Sequence, residues 1–327
     1  MRVVYLGTPA AAVPPLEALL ASRHEVVAVV TRPDKPRDHR GGRPAPSPVR
    51  RAAEAAGLPL LTPPRGRDPE LPGQLAAFAA DVGFTCAFGY LLPDEVLAVF
   101  PRGVLNLHFS LLPAYRGPAP VQHALLDGRT VTGVSTFVID QGMDTGPLLL
   151  TAEVPIMPDE NAGQLTARLA EVGARLAVET LDALEAGAIS PRPQPESGAT
   201  LAPKVRPEQA CLDWTASAKR MVDAVRAFTP SPGAWTTLRG RRLKVPRAAL
   251  PPEDAGRLRL APGELAPGPR GELLAGAGDG AVELVWVQPE GRRAMPGGDF
   301  ARGARLTPGE RLGQGGPGGS RARPAPR

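Results

Sequence analysis

The chain contains few of the residues that build disulfide-linked, zinc-binding or membrane-spanning proteins. Its 327 residues include only two cysteines, Cys86 and Cys211, which lie far apart. Two such cysteines make neither a disulfide framework nor a zinc site. No apolar stretch approaches the length of a membrane span, and residues 1–9 contain no signal-peptide core. We therefore expect a cytoplasmic protein without membrane segments.

Lysine and aromatic residues are also scarce. Only four of the 38 basic residues are Lys and the other 34 are Arg, while Phe, Trp and Tyr together make up 4%. With 40 Pro and 37 Gly, this usage is typical of a GC-rich genome, so the pI of about 9.7 indicates a polyanionic partner only weakly. The hydrophobic content of 43% supports a sizeable core, and the length suffices for two domains.

Short apolar runs alternate with helical patterns over the first half of the chain. Fully apolar strands separated by helices indicate an α/β domain with a parallel sheet covered on both faces. The predicted strands are residues 3–6, 26–30, 81–88, 104–108 and 134–140.

The second half of the chain has a different pattern of residues. A long amphipathic helix is predicted over 162–186, and a segment rich in Pro, Ser and Gly at 190–206 is interpreted as a linker after a first domain at 1–189. Short β-like runs separated by Gly and Pro turns predict a small β-rich domain over 207–312. Residues 313–327, which are mostly Gly, Pro and Arg, are predicted to be disordered.

Three polar residues lie at or beyond the ends of predicted strands. Asn106 and His108 are two residues apart on one strand, so their side chains point to the same face, and Asp144 follows another strand. Because ligands bind at the carboxyl ends of parallel strands, we expect the three to converge. An amide, an imidazole and a carboxylate can move a proton and stabilise an oxyanion. Without a Ser or Cys nucleophile in the set, we predict direct transfer between two bound substrates.

Each of these residues also has a simple structural interpretation. A polar residue at a strand end is often only hydrogen-bonded there, and an Asp in a Gly-rich turn often only shapes the turn. The same interpretation, surface or packing residues, is applied to the other histidines, which are His24, His39 and His123.

An ordered set of motifs extends through most of the chain. In sequence order these are Gly7–Pro9, Pro46–Val49, Phe88–Pro93, Asn106–Pro113, Arg116–Gly117, Thr132–Val134, Asp140–Gly146, Ala202–Lys204, Leu212–Trp214, Arg226–Phe228 and Pro232–Trp235. Each motif alone is weakly specific. In this order and at this spacing, as far as about Thr307, they resemble the methionyl-tRNA formyltransferase family.

The resemblance implies a Rossmann-like, mostly parallel α/β sheet of the formyltransferase fold, followed by a small β-rich, OB-like barrel. It implies 10-formyltetrahydrofolate as the formyl donor and the α-amine of methionyl initiator tRNA as the acceptor. We expect a monomer. Asn106, His108 and Asp144 match the catalytic residues of the family. The residues that match its folate-binding segments are Phe88, Gly89, Tyr90, Leu91, Leu92, Pro93, Ser110, Leu111, Leu112 and Pro113.

On this interpretation the free amine attacks the formyl carbon and a tetrahedral oxyanion forms. A protonated His108 and the Asn106 amide would donate hydrogen bonds to that oxyanion, each worth about 3 kcal/mol. Asp144 would stabilise the charged imidazole and would pass the amine proton to the departing folate nitrogen. No metal is required.

A basic segment at 31–49 and the β-rich domain are assigned to tRNA. A solvated surface is the usual interpretation of a basic loop, but the resemblance implies contact with the acceptor stem, and Arg suits phosphates and purine edges. The residues assigned to tRNA binding are Arg32, Lys35, Arg37, Arg40, Arg43, Lys204, Arg206, Arg239, Arg241, Arg242 and Lys244.

Three alternatives stay open. The first is another folate-dependent formyltransferase, with glycinamide ribonucleotide or an amino sugar nucleotide as its acceptor. The basic loop and the second domain argue against the ribonucleotide enzymes, which lack both. The second is a hydrolase that releases formate from formyl-folate. The third is a catalytically silent RNA-binding protein, against which the intact Asn106, His108 and Asp144 argue.

Overall fold

The computed structural model describes residues 1–34, 45–252 and 258–313, which form two compact units. The first unit comprises Met1–Val121, Val131–Ile156 and Leu165–Lys204. The second comprises Gln122–Thr130, Met157–Gln164 and the described residues from Val205 on. Two short stretches of the predicted first domain thus belong to the second unit. Lys35, Arg37, Arg40, Arg43 and the tail beyond Gly313 lie outside the described residues.

Up to Lys204, strands alternate with helices except at the last two strands, which follow one another directly. The strands are β1 (Arg2–Gly7), β2 (Glu25–Val30), β3 (Leu60–Leu61), β4 (Val82–Cys86), β5 (Val104–His108), β6 (Val131–Val138) and β7 (Leu148–Pro155). The helices are α1 (Val13–Leu20), α2 (Pro48–Ala55), α3 (Leu71–Ala76), α4 (Asp94–Leu97), α5 (Pro120–Leu126) and α6 (Ala162–Glu185).

The strands of the first unit form one sheet in the order β3-β2-β1-β4-β5-β6-β7. β1 to β5 run parallel, whereas β6 is antiparallel to both of its neighbours. Val3, Val4, Tyr5 and Leu6 of β1 are all completely buried, as expected for a central strand covered on both faces. The predicted mostly parallel α/β fold is confirmed.

Local sequence explains where helices begin. The Ser47 hydroxyl accepts a hydrogen bond of 3.1 Å from the backbone N–H of Arg50, which caps α2, and Pro48 follows at the first helical position. In α6 the buried Leu165, Leu169 and Leu176 recur at helical spacing and form its apolar stripe.

No helix in the described ranges is long and apolar enough to cross a bilayer.

The second unit contains a curled antiparallel sheet in the form of a half-barrel. Its strands are β8 (Trp235–Leu238), β9 (Arg241–Ala249), β10 (Leu265–Pro267), β11 (Leu273–Gly276), β12 (Ala281–Pro289) and β13 (Met295–Pro296). The order is β10-β11-β12-β9-β8, with β13 paired to β12. α7 (Ala218–Phe228) packs against β9, and α8 (Gly297–Ala304) packs against β11 and β12. The predicted small β-rich domain is confirmed.

Candidate functional site

A cavity of about 1240 Å³ lies at the carboxyl ends of β4 and β5. Most of its lining comes from residues 87–95, 106–109 and 139–144. The position follows from the fold, because the loops after parallel strands leave a crevice at this edge of the sheet. Asn106, His108 and Asp144 all line this cavity, so the structure brings together the three residues singled out in the sequence.

His108 has a fixed orientation. It is buried, and its Nε2 atom lies 2.9 Å from the backbone oxygen of Tyr115. A carbonyl oxygen only accepts, so Nε2 carries a proton and donates it. The second ring nitrogen, Nδ1, lies 3.6 Å from Oδ2 of Asp144. Any proton that His108 gains or releases in the cavity is therefore carried by Nδ1, next to a carboxylate.

Asp144 is held through its side chain and through its backbone. Its Oδ2 accepts a hydrogen bond of 2.7 Å from the backbone N–H of Gly117. Its φ is +54°, in the left-handed region that is uncommon for residues other than Gly. The Nε2 of Gln194 donates to the backbone oxygens of Asp144 and Gly146, both at 2.8 Å. Three hydrogen bonds thus keep the Asp144 loop in place.

The route by which Asp144 reaches His108 differs from the expectation. The register pairs His108 with Ser135 and Leu105 with Val138, so the carboxyl end of the antiparallel β6 lies beside the amino end of β5. The rule for parallel strands therefore does not explain the position of Asp144. The loop that connects β6 to β7 brings the carboxylate to the cavity instead.

The predicted folate segment Phe88–Pro93 lines the cavity along its whole length. Phe88 is buried and packs edge-on against Tyr90, with ring centroids 5.3 Å apart. Leu91 is 79% exposed, which leaves an apolar side chain available to a ligand. Apolar walls with few polar groups are typical of cofactor pockets.

The other predicted folate segment, Ser110–Pro113, does not line the cavity. The Ser110 hydroxyl donates to the backbone oxygen of Ala114 at 2.6 Å, and the Ser135 hydroxyl donates to the backbone oxygen of Ser110 at 2.7 Å. The polar groups of this segment are thus used inside the protein. This segment therefore supports the loop after β5, and its assignment to folate binding stays a prediction.

Arg32 was assigned to tRNA, but the structure places it beside the folate segment. Its guanidinium lies 4.6 Å from the ring centroid of Tyr90. Its Nε is buried and has no hydrogen-bond partner among the described residues. This cation–π contact makes Arg32 part of the support of Tyr90.

In the second unit, the basic residues of β9 lie beside an aromatic ring. The Arg242 guanidinium stacks 3.9 Å from the centroid of the Trp235 ring. Lys244 is opposite Trp235 on β8 and opposite Gln288 on β12. Both basic residues are exposed, as is Arg241, whose Nε lies 3.7 Å from Glu290. An exposed set of cations with an aromatic ring suits a nucleic acid.

Arg239 differs from these neighbours. Its Nε and Nη2 donate to the two carboxylate oxygens of Glu310 at 2.5 and 2.8 Å, and it also donates to the backbone oxygens of Ala304 and Arg305. The bound guanidinium lowers the pKa of Glu310 below its usual value. We therefore assign Arg239 to the stability of the second unit. Lys204 and Arg206 are exposed.

Sequence reasoning missed three residues that shape the site. The backbone oxygen of Tyr115 and the backbone N–H of Gly117 act through atoms that every residue type shares, so no residue pattern could reveal them. Gln194 lies in a segment whose composition is typical of a linker. In the described part of the chain, no group of three or more His, Cys, Asp or Glu residues is arranged to hold a metal ion.

Comparisons with known proteins identify the family to which both parts of the chain are similar. Residues 1–181 match the Formyl transferase family, and residues 204–305 match the family described as Formyl transferase, C-terminal domain. The methionyl-tRNA formyltransferase of Streptomyces coelicolor is 51% identical over 314 residues, which is 96% of this chain and 100% of that protein.

Two solved structures share the fold. HypX from Aquifex aeolicus in complex with tetrahydrofolic acid has a TM-score of 0.64 at 20% identity, covering 92% of this chain and 47% of that one, so the chain spans about half the length of HypX. The sugar 3N-formyl transferase WlaRD, solved in the presence of dTDP and 5-N-formyl-THF, has a TM-score of 0.65 at 16% identity, covering 90% and 99%. At these identities the likeness shows the fold alone.

Proposed function

The chain belongs to the methionyl-tRNA formyltransferase family, and from this membership we infer that it transfers a formyl group to the methionine of initiator tRNA. It is an enzyme, and its substrates are a folate and methionyl-tRNA. We propose further that the donor is 10-formyltetrahydrofolate, that the protein acts as a monomer in the cytoplasm, and that its own side chains carry out the proton transfers. The observation that carries this proposal is the convergence of Asn106, His108 and Asp144 on one cavity.

In the proposed mechanism, the free α-amine of methionine attacks the formyl carbon of the folate. The carbonyl electron pair moves to oxygen and creates an oxyanion. The Asn106 amide and the Nδ1–H of a protonated His108 donate to it, and one such donor is typically worth about 3 kcal/mol. The Nε2 atom of His108 donates to Tyr115, so the ring keeps its orientation while charge develops.

Collapse of the intermediate breaks the bond between carbon and the folate N10 atom. The amine has become an ammonium and must lose one proton, while N10 must gain one. Asp144 is the carboxylate beside His108. It accepts the proton that the ammonium loses and then delivers it to N10. The sum of these steps is balanced, since the proton removed from the amine leaves on tetrahydrofolate.

Phe88–Pro93 would bind the folate, with the Arg32 guanidinium over the ring of Tyr90 and the Phe88 ring packed edge-on against Tyr90. The basic residues 35, 37, 40 and 43 stay proposed contacts of the acceptor stem. In the second unit we propose Arg206, Arg241, Arg242 and Lys244 as phosphate contacts, together with Lys204 of the first unit. The stacked pair of Arg242 and Trp235 supports this surface.

The test is the transfer of labelled formyl from 10-formyltetrahydrofolate to acceptors offered in parallel. These are methionyl initiator tRNA, methionyl elongator tRNA, glycinamide ribonucleotide and an amino sugar nucleotide. We expect label on the initiator tRNA alone. Label on the ribonucleotide or the sugar would assign the protein to another acceptor, and free labelled formate without a labelled acceptor would identify a hydrolase.

A further inference from the structure

The segment that composition marks as a linker is bound tightly to the site. Its residues 192–202, which we call the strap, contact both loops that hold the reacting groups. Arg192 pairs with Leu148, at the end of the Asp144 loop. Arg116 pairs with Leu201 and exchanges backbone hydrogen bonds of 2.9 and 2.7 Å with Thr200 and Ala202. The strap therefore belongs to the first unit, although its composition predicts a linker.

Within residues 191–200, Gln194 is the one residue that is partly buried, and its amide joins the two loops. Its Oε1 accepts hydrogen bonds of 3.0 and 2.7 Å from Nε and Nη2 of Arg116. Its Nε2 donates at 2.8 Å to the backbone oxygens of both Asp144 and Gly146. Arg116 thus fixes which end of the amide faces the Asp144 loop, because a guanidinium only donates.

This contact falls where the Asp144 backbone needs support. A residue other than Gly in the left-handed region is under strain, and the surrounding structure has to stabilise it. The Gln194 amide binds the carbonyl of this very residue, two bonds from the Cα that carries the reacting carboxylate. If these bonds are lost, the backbone can relax and the carboxylate can move away from Nδ1 of His108.

We propose that Gln194, oriented by Arg116, is a positioning residue that holds the Asp144 carboxylate against His108 during formyl transfer. Gln194 does not line the cavity and acts through the backbone of Asp144. The inference rests on the proposed catalytic role of Asp144 and adds to it a residue outside the substrate cavity.

Two substitutions distinguish the contribution of the donor Nε2 from that of the whole Gln194 amide. Gln194→Met keeps the length and removes all four hydrogen bonds. Gln194→Glu keeps the pairing with Arg116 but loses the donor and directs a carboxylate oxygen at two carbonyl oxygens. Glu196→Gln is the matched control, since Glu196 is exposed on the same strap. All variants are compared as full-length enzymes by thermal unfolding and by steady-state kinetics with both substrates.

We expect kcat to fall about 10- to 100-fold in both Gln194 variants, as for a misplacement near 1 Å at a reacting group. The KM values for folate and tRNA should stay within twofold of wild type, and Glu196→Gln should behave as wild type. A raised KM with normal kcat, or a Gln194→Glu enzyme of full activity, overturns the proposal. If the Gln194 variants do not fold, Arg116→Lys replaces them, because a lysine cannot form the paired contact with the Gln194 amide. This variant should give a smaller fall in kcat. A wild-type kcat in Arg116→Lys overturns the proposal.

A double substitution shows whether Gln194 acts through Asp144. In an Asp144→Asn background, Gln194→Met should change the residual rate less than twofold, because the group it positions is already gone. The same 10- to 100-fold loss in both backgrounds overturns the proposal. Failure of the proposed catalytic role of Asp144 is distinguishable from this result. In that case the single variant Asp144→Asn would keep wild-type activity.

Discussion

The backbone N–H of Gly117 donates a hydrogen bond of 2.7 Å to Oδ2 of Asp144. This oxygen is also the one that lies 3.6 Å from the imidazole of His108. The N–H offers a fixed partial positive charge to one oxygen of the carboxylate, and we expect the other oxygen, Oδ1, to exchange the proton with substrate. A backbone group from the loop after β5 therefore sets the orientation of a side chain from the loop after β6.

We expect Gly117→Ala to lower kcat strongly. The Gly117 φ is +121°, and an added Cβ would lie 2.8 Å from the backbone oxygen of Ala202, so the N–H that holds Asp144 has to move. Gly57→Ala is the control, because Gly57 has a φ of +67° with open space around its Cβ position. Kinetics and thermal unfolding should show lower stability in both variants and a lower kcat only in Gly117→Ala. Equal kcat values would refute the role of this hydrogen bond.

His108→Ala should lower formyl transfer by about 10²- to 10⁴-fold, as for the loss of a general acid–base group. Folate binding should stay close to wild type, because the Phe88–Pro93 wall is unchanged. Single-turnover transfer and equilibrium binding of a folate measure the two effects. Near-normal turnover would contradict the catalytic assignment of His108.

Arg241→Ala and Lys244→Ala should each weaken tRNA binding and lower the slope of log K against log salt by about 1, because each removes one phosphate contact. The chemical step at saturating tRNA should be unchanged. Arg259, which is exposed in the same unit but outside β8, β9 and β12, supplies the control Arg259→Ala. An unchanged salt slope in the first two variants would remove these residues from the tRNA surface.

Arg239→Ala should lower the free energy of unfolding near pH 7 without changing tRNA affinity. Arg239 lowers the pKa of Glu310, so their pairing stabilises the protein above the usual carboxyl pKa and is lost as pH falls through the lowered value. The difference from wild type should therefore shrink in acid. Glu310→Gln should have a similar effect. Denaturant unfolding at several pH values tests this, and a tRNA defect at full stability would return Arg239 to the tRNA surface.

The two thiols should react very differently with iodoacetamide. Cys86 is buried, and burial raises the pKa of its thiol to about 12, whereas Cys211 is exposed. The thiolate is the reactive form, so the native protein should be labelled at Cys211 alone. Native Cys211→Ser should take up no label and should take up one equivalent after unfolding. Rapid labelling of native Cys86 would mean that the β4 core opens readily.

Local patterns were enough to predict the elements that carry the site. The apolar run around β5 and the two-residue spacing of Asn106 and His108 determine a strand with both side chains on one face, since alternation is a property of the extended chain itself. The change from helical periodicity to short β runs after residue 207 likewise indicated a second, β-rich domain. The motif order identified the family.

Only the tertiary structure decided how these elements meet. Three of these contacts involve backbone groups far apart in the chain: the antiparallel pairing of β6, the bond from Gly117 to Asp144, and the hydrogen bonds from the Gln194 amide. Backbone groups are the same in every residue, so the sequence does not reveal such contacts. The structure also separated Arg239, which binds both carboxylate oxygens of Glu310, from Arg242 and Lys244, although all three are equally basic in the sequence. The sequence by itself determined which residue types were available for catalysis and RNA binding. The folded contacts determined which of them are held by the protein itself, because a guanidinium that binds a carboxylate and two backbone oxygens has to give up those bonds before it can contact a ligand.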